Sequence, residues 1–227
     1  MLKHYVLTPA YRGPDYPIEA NRRRVELLRR VTAASLSVQG TEWTWVVYVN
    51  PADPLLAERL DAFRSAGAPV IPIEHSPEDV IDWSGPVLTT RIDDDDAFAR
   101  DAFRRLRDRV TDTRTVWMFP RGYRINDGQQ EPILHRRNAW ASLYAPQGQR
   151  IHIRQVAHPQ VQRLAPVRTI DTDPAWLWVR HQDAKTAFRR AIEPITEDVR
   201  RRYAVDWAYL EDMACSTSSP PAGEGSP

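Results

Sequence analysis

Apolar and polar positions follow two rhythms along the first hundred residues. Short β-branched and aromatic runs at 5–8, 43–49, 69–73 and 87–92 are separated by longer stretches with helical spacing. Residues 19–38 place Val25, Leu28, Val31 and Ala34 on one stripe and predict a helix. A second helix is predicted over 55–65 and closed by Gly67. Asn50-Pro51 ends the second strand and Gly85-Pro86 introduces the fourth. Strands alternating with helices imply an α/β fold, a mostly parallel sheet with helices on both faces.

Beyond Asp96 the spacing of Phe98, Ala102, Leu106 and Val110 predicts a helix over 97–110. The pattern then becomes mixed. Strands are predicted at 115–119 and 123–125, Asp127-Gly128 reads as a hairpin turn, and 132–134 returns antiparallel. Residues 176–179 form a last apolar strand, and 185–209 read as helical with an interruption near Pro194. The whole reads as one Rossmann-like domain over 1–213, with a parallel half (1–110), a mixed half (111–213) and a Ser/Pro/Gly-rich, disordered tail (214–227).

Composition narrows the function classes. A chain of 227 residues suits a single domain, and 31 basic against 30 acidic residues give a net charge of +1, which prompts neither nucleic acid nor an anionic membrane surface. Arginine runs at 22–24, 104–109 and 200–202 read as solvated helix faces, so no nucleic-acid partner is expected. The single cysteine, Cys215, rules out an internal disulfide. No signal peptide and no apolar run near the ~20 residues of a membrane span is present, so a cytoplasmic protein is expected, with peripheral membrane association still allowed.

The chemistry gathers at Asp93-Asp94-Asp95-Asp96, directly after the fourth strand. Ligands of open α/β sheets collect outside the carboxyl ends of strands. An extended chain there puts Asp93 and Asp95 on one side and Asp94 and Asp96 on the other. Two carboxylates roughly 5 Å apart repel by about 3 kcal/mol at an effective dielectric near 20, so burial demands a counter-charge. A divalent cation, Mg²⁺ or Mn²⁺, suits hard carboxylate oxygens, whereas Arg91 neutralises one charge of four. Asp95 or Asp96 acting as cap of the following helix is the bland alternative. An EF-hand loop fails because Ala97 and Phe98 stand where an oxygen ligand and the turn glycine belong.

Three motifs, Arg91-Ile92-Asp93-Asp94-Asp95-Asp96-Ala97, Pro120-Arg121-Gly122-Tyr123 and Trp176-Leu177-Trp178-Val179-Arg180-His181, occur in this order. In them the chain resembles nucleotide-sugar glycosyltransferases of the GT-A fold, and among these a bacterial rhamnosyltransferase family, over residues 4 to 210. The resemblance implies transfer of a sugar, rhamnose in the first instance, from a nucleoside diphosphate to the hydroxyl of a glycan or other acceptor, with inversion. It implies Mn²⁺ or Mg²⁺ as cofactor, held by Asp93, Asp95 and His181. It also implies donor contacts from Thr8, Arg12, Arg91, Asp93, Asp94 and Gly122. A bound dication would stabilise charge on the departing diphosphate as a Lewis acid.

Plainer readings stand beside these. Trp140, Trp176 and Trp178 read as core more than as sugar platforms, and Gly122 as a bend as readily as a close approach. An inverting transfer needs a carboxylate base. Asp127 and Glu131 sit at the hairpin, and Asp171 and Asp173, just before the last strand, are the preferred candidates. A nucleotidyltransferase with a similar acidic site, or a non-enzymatic carbohydrate-binding module, are the alternative functions.

Overall fold

The four N-terminal strand runs become β1 (Lys3–Pro9), β2 (Thr44–Tyr48), β3 (Val70–Ile73) and β4 (Val87–Arg91) in the computed structural model, which describes residues 1–10, 17–126, 128–136, 140–171, 173–180 and 193–217, backbone alone from 214. Side chains alternate along them. Val6, Trp45, Val47 and Leu88 enter one core, and Tyr5, Leu7, Val46 and Val87 enter another on the opposite face.

The first core is covered by α1 (Ile18–Leu27), α2 (Ala34–Ser37), α3 (Leu56–Arg64) and α4 (Ala102–Arg107), through Val25, Leu36, Phe63, Phe103 and Leu106. The second is covered by 3₁₀ turns at Ile153–Gln155 and His158–Arg163, through Ile153 and Val161. Cover on both faces is thus achieved with α-helices on one side and shorter turns on the other, where Pro159 and Pro166 leave little room for a longer helix.

α1 runs into α2 through a π-helical turn, Leu28–Ala33, so the helix predicted over 19–38 is continuous but not uniform. The turn lets one helix serve two cores. Leu28, Ala33 and Leu36 join the first, while Leu27 and Val31 enter a third.

Further along, β6 (Thr115–Met118), β9 (Ala141–Ala145) and β10 (Val167–Thr169) extend the main sheet, whose order is β10-β6-β9-β4-β1-β2-β3. β9 runs antiparallel to β4 and β6, and every other neighbouring pair in this sheet is parallel. The sheet draws strands from both sides of residue 110.

A second sheet, β12-β8-β7-β11-β5, is built from β5 (Asp96–Phe98), β7 (Arg121–Asn126), β8 (Gln129–Leu134), β11 (Trp176–Val179) and β12 (Glu193–Pro194). Gly128, at φ +71°, lies in the turn of the expected β7–β8 hairpin. β5 corrects the helix expected over 97–110. Asp96, Ala97 and Phe98 pair with Trp178, Leu177 and Trp176, and helix begins only at Ala102. Ala97, Phe98 and Ala99 are all buried, and a segment enclosed on both sides is held better by strand pairing than by a helix.

The region expected to be helical over 185–209 is divided. Its described part contains β12, then α5 (Glu197–Arg202) and α6 (Trp207–Thr217), with the Thr196 hydroxyl accepting from the Val199 amide at the start of α5. The tail from 218 lies outside the described residues.

Candidate active site

Strand register sets the carboxyl edge. Tyr48 is level with Pro9, and Arg91 with Leu7, so the chain leaving β4 emerges beside the ends of β1 and β2. Ile92 is buried, and its amide donates to the Leu7 carbonyl at 3.4 Å. The next residues do not stay extended as expected. They turn at Asp94 and Asp95, and Asp96 enters β5 instead of capping a helix. Pairing of Asp96 with Trp178 brings the third motif to the first. Arg180, one residue before His181, lies in the field of Asp95 and Asp96. Burial, then the Arg124 charge, lower its pKa, and the two acids oppose that shift.

On the α1/α3 side of the turn, charges are closely matched. The Arg24 guanidinium binds Asp94 and reaches Asp95 at 3.0 Å. Arg59, only 1% exposed, donates to Asp53 at 2.8 Å and to Asn21 at 2.8 Å, and stands 3.9 Å from Asp94. The expectation that residues 22–24 form a solvated face is therefore corrected at Arg24. Asn21, Arg24 and Leu28 recur at helical spacing on the buried side, a signal the arginine run concealed. Asp94, assigned to the donor by the resemblance, faces these helices because its carboxylate completes their charge network.

The opposite side is sparser. Arg91 Nε stands 4.0 Å from Asp93 Oδ1. The Arg154 guanidinium, from the first 3₁₀ turn, lies 5.3 Å over the Tyr48 ring. Burial and then the Arg91 charge lower the pKa of Arg154, with Asp93 opposing. His158 is likewise lowered by burial first and Arg91 second. Buried atoms without a hydrogen-bond partner include Arg91 Nε, Arg154 Nη1, Asp93 Oδ1 and Asp96 Oδ1. The Asp96 carboxyl is pushed well above the usual range, by burial first and then by the charges of Asp95 and Asp93.

Next to Tyr48 lies a cavity of about 400 Å³, lined by Pro9, Ala10, Asn50, Glu74 and His75 among others. A larger one, about 570 Å³, opens among His4, Trp43 and Arg107. That cavity lies at the amino ends of β1 and β2, remote from the acids; the smaller one opens at the carboxyl ends and reaches the charged edge only through Tyr48, with none of the four aspartates, Arg91 or Arg154 in its lining.

Other expected residues fall elsewhere. Thr8 is fully buried and its hydroxyl accepts from Trp45 Nε1 at 2.9 Å, so it supports the core instead of facing a nucleotide. Gly122 does permit a close approach, but to Trp176: a Cβ on it would penetrate the indole, which corrects its assignment to the donor. Trp140 and Trp176 are core, stacked at 4.0 Å, and Trp178 is partly buried beside them. Asp171 lies on the same carboxyl edge as Asp93 but three strands away, about 14 Å by strand spacing. It is exposed and bonded to Arg121 at 2.7 Å. Asp173 is exposed and 3.5 Å from Arg202, and Glu131 is buried against Arg124 at 2.9 Å. Arg12, Asp127 and His181 lie outside the described residues. Among the described residues, no three His, Cys, Asp or Glu side chains converge on a common metal position. Sequence reasoning missed Tyr48 and Arg154. Tyr48 was legible as the last aromatic of a strand at this edge, whereas nothing in the local pattern marked Arg154.

A largely parallel sheet with charged groups gathered outside its carboxyl edge defines the class, an α/β protein of the kind whose ligands collect outside the strand ends. The model of the family described as "Putative rhamnosyl transferase" matches residues 19–192, and the chain belongs to that family. Two solved structures are similar at low identity. One is S. aureus TarS, with 10% identity and a TM-score of 0.45, covering 78% of this chain and 37% of that one. The other is a "Putative Glucose-1-Phosphate Thymidylyltransferase from Bacillus anthracis", with 10% identity and a TM-score of 0.40, covering 78% and 89%. The chain thus spans little over a third of the length of TarS. No curated protein matches the sequence. Among the described residues, no helix is long and apolar enough to cross a membrane.

Proposed function

We propose that the enzyme transfers rhamnose from a nucleoside diphosphate to an acceptor hydroxyl, with inversion, and that the donor lies at the carboxyl edge between Tyr48, Arg91 and Asp93. The observation that carries this reading is the set of buried groups there without partners, Asp93 Oδ1 and Asp96 Oδ1 beside Arg91 Nε and Arg154 Nη1. Such atoms also occur elsewhere in the molecule, but here two acid oxygens and two arginine nitrogens gather at one strand edge, a grouping that a polar, charged ligand would satisfy.

A divalent cation fits this donor set. Mg²⁺ and Mn²⁺ are commonly held by one or two carboxylates together with substrate phosphates, so a full protein cage is not required. Asp93 would hold the ion together with phosphate oxygens of the donor, and Asp95 would join it by sharing the carboxylate that Arg24 reaches at 3.0 Å; the ion would supply Lewis-acid stabilisation of the leaving diphosphate. Arg91 and Arg154 orient the phosphates by charge, and Tyr48 offers its ring to the nucleoside. Asp171, on the same edge, is the preferred base.

A panel of nucleotide sugars, assayed for hydrolysis and transfer with Mn²⁺, tests the proposal. Nucleotide-activated rhamnose should be consumed, and Asp93→Asn should cut the rate at least about a hundredfold, in line with loss of a metal or electrostatic group. Turnover by Asp93→Asn equal to wild type, or no consumption of any donor, would refute it.

A further inference from the structure

Two arginines from distant parts of the chain meet at this edge. Arg91 ends β4, and Arg154 belongs to the 3₁₀ turn whose Ile153 amide donates to Thr89 Oγ1 at 2.9 Å. That bond anchors the turn to the same strand, two residues before Arg91. Stacking on Tyr48 further fixes the Arg154 guanidinium. Tyr48, Arg91 and the turn carrying Arg154 thus converge at one strand edge, where Arg154 feels the charges of both Arg91 and Asp93, and Arg91 Nε stands 4.0 Å from Asp93 Oδ1. Arg91 Nε and Arg154 Nη1, both buried, have no hydrogen-bond partner.

We infer that Arg91 and Arg154 form a guanidinium clamp that binds the donor's diphosphate directly, so that a nucleoside diphosphate still binds when divalent cations are removed. This rests on the donor site proposed above. A diphosphate supplies several anionic oxygens at a spacing two guanidinium groups can share, and charge-assisted contacts of this kind are the strong ones. With Asp94 and Asp95 engaged by Arg24, the acidic turn contributes less free negative charge than four aspartates suggest, so the clamp competes with little of its own protein.

Titration calorimetry with UDP, dTDP and GDP, in EDTA and in Mn²⁺, tests the inference, with the matching monophosphates and inorganic pyrophosphate as probes of the anion. In EDTA the preferred diphosphate should bind within about tenfold of its affinity in Mn²⁺. Arg154→Ala should weaken it in EDTA by about ten- to a hundredfold, the loss of a charged hydrogen bond, with partial recovery in Arg154→Lys. Monophosphate affinity should change much less, which separates a diphosphate clamp from a general phosphate site. Binding that requires Mn²⁺, or an Arg154→Ala variant with wild-type affinity in EDTA, overturns the clamp and leaves the donor site standing. Pyrophosphate bound as tightly as the preferred nucleotide would overturn the assignment to a nucleotide donor. Absence of nucleotide binding under every condition overturns both.

Discussion

Two arginine clusters flank the same acidic turn, and they differ in how completely they are satisfied. Toward α1 and α3, Arg24 and Arg59 bind Asp94, Asp95, Asp53 and Asn21 in a buried network. Toward the 3₁₀ turn, Arg91 comes no nearer than 4.0 Å to Asp93, and Arg154 has no ion pair among the described residues. Buried nitrogens without a hydrogen-bond partner occur in both clusters, Arg59 Nη1 in the first and Arg91 Nε and Arg154 Nη1 in the second, so the difference lies in the pairing of charge. The residue types are the same, so type alone does not separate scaffold from site. The first cluster fixes the turn, and the second leaves valences for something the chain does not supply.

Substitutions that break one cluster should act on stability, and those in the other on binding. The largest effect is expected from Asp94→Ala, which takes from Arg24 one of its two carboxylates and from Arg59 the acid 3.9 Å away, and leaves the buried cluster with excess positive charge. Chemical denaturation should show a loss of about 3–5 kcal/mol, as for other buried pairs broken on one side. Gly122→Ala serves as a control outside both clusters. Its added methyl meets the Trp176 ring and should cost about 1–3 kcal/mol by overpacking without altering nucleotide affinity.

An effect that depends on acidity is expected at His4, whose ring nitrogen bonds Thr90 Oγ1 at 2.8 Å beside the Phe103 ring. Burial first, and the Arg107 charge second, lower its pKa from 6.5 to about 3. Between those values the unfolded chain carries the proton and the folded one does not. The His4 contribution is therefore fully present above pH 6.5 and declines on acidification by about 1.4 kcal/mol per pH unit. His4→Gln should remove that part of the slope in denaturation measured from pH 7 to 4. Smallest of all, Arg154→Ala should change stability by less than about 1 kcal/mol, since Nη1 donates to nothing. A loss as large as that of Asp94→Ala would erase the contrast between the clusters.

The parallel strands were legible because each combines β-branched or aromatic residues with clear punctuation, as at Asn50-Pro51. β5 was not. Phe98, Ala102 and Leu106 share a helical spacing, and the pairing that overrides it comes from Trp176–Val179, almost eighty residues away. β9 reads Ala-Ser-Leu-Tyr-Ala, with no β-branched residue to announce a strand. Within the site, the acidic run and Arg91 stood out in the sequence. The separation of Asp93 from Asp94 onto opposite sides depended on Arg24, whose burial was masked by two neighbouring arginines. Arg154 became visible only when tertiary structure carried a 3₁₀ turn to the end of β4.

The π-helical turn at Leu28–Ala33 has an evolutionary corollary. The wide turn holds one residue more than an α-helical turn, so a deletion inside it can restore regular helix with the flanks in phase, whereas a deletion at 25–27 would rotate everything upstream by about 100° relative to everything downstream. Arg24 would swing off its carboxylates while Leu36 kept its seat. Among homologues, a one-residue change in length should therefore be found within 28–33 more readily than at 25–27, where the phase of Arg24 depends on every residue.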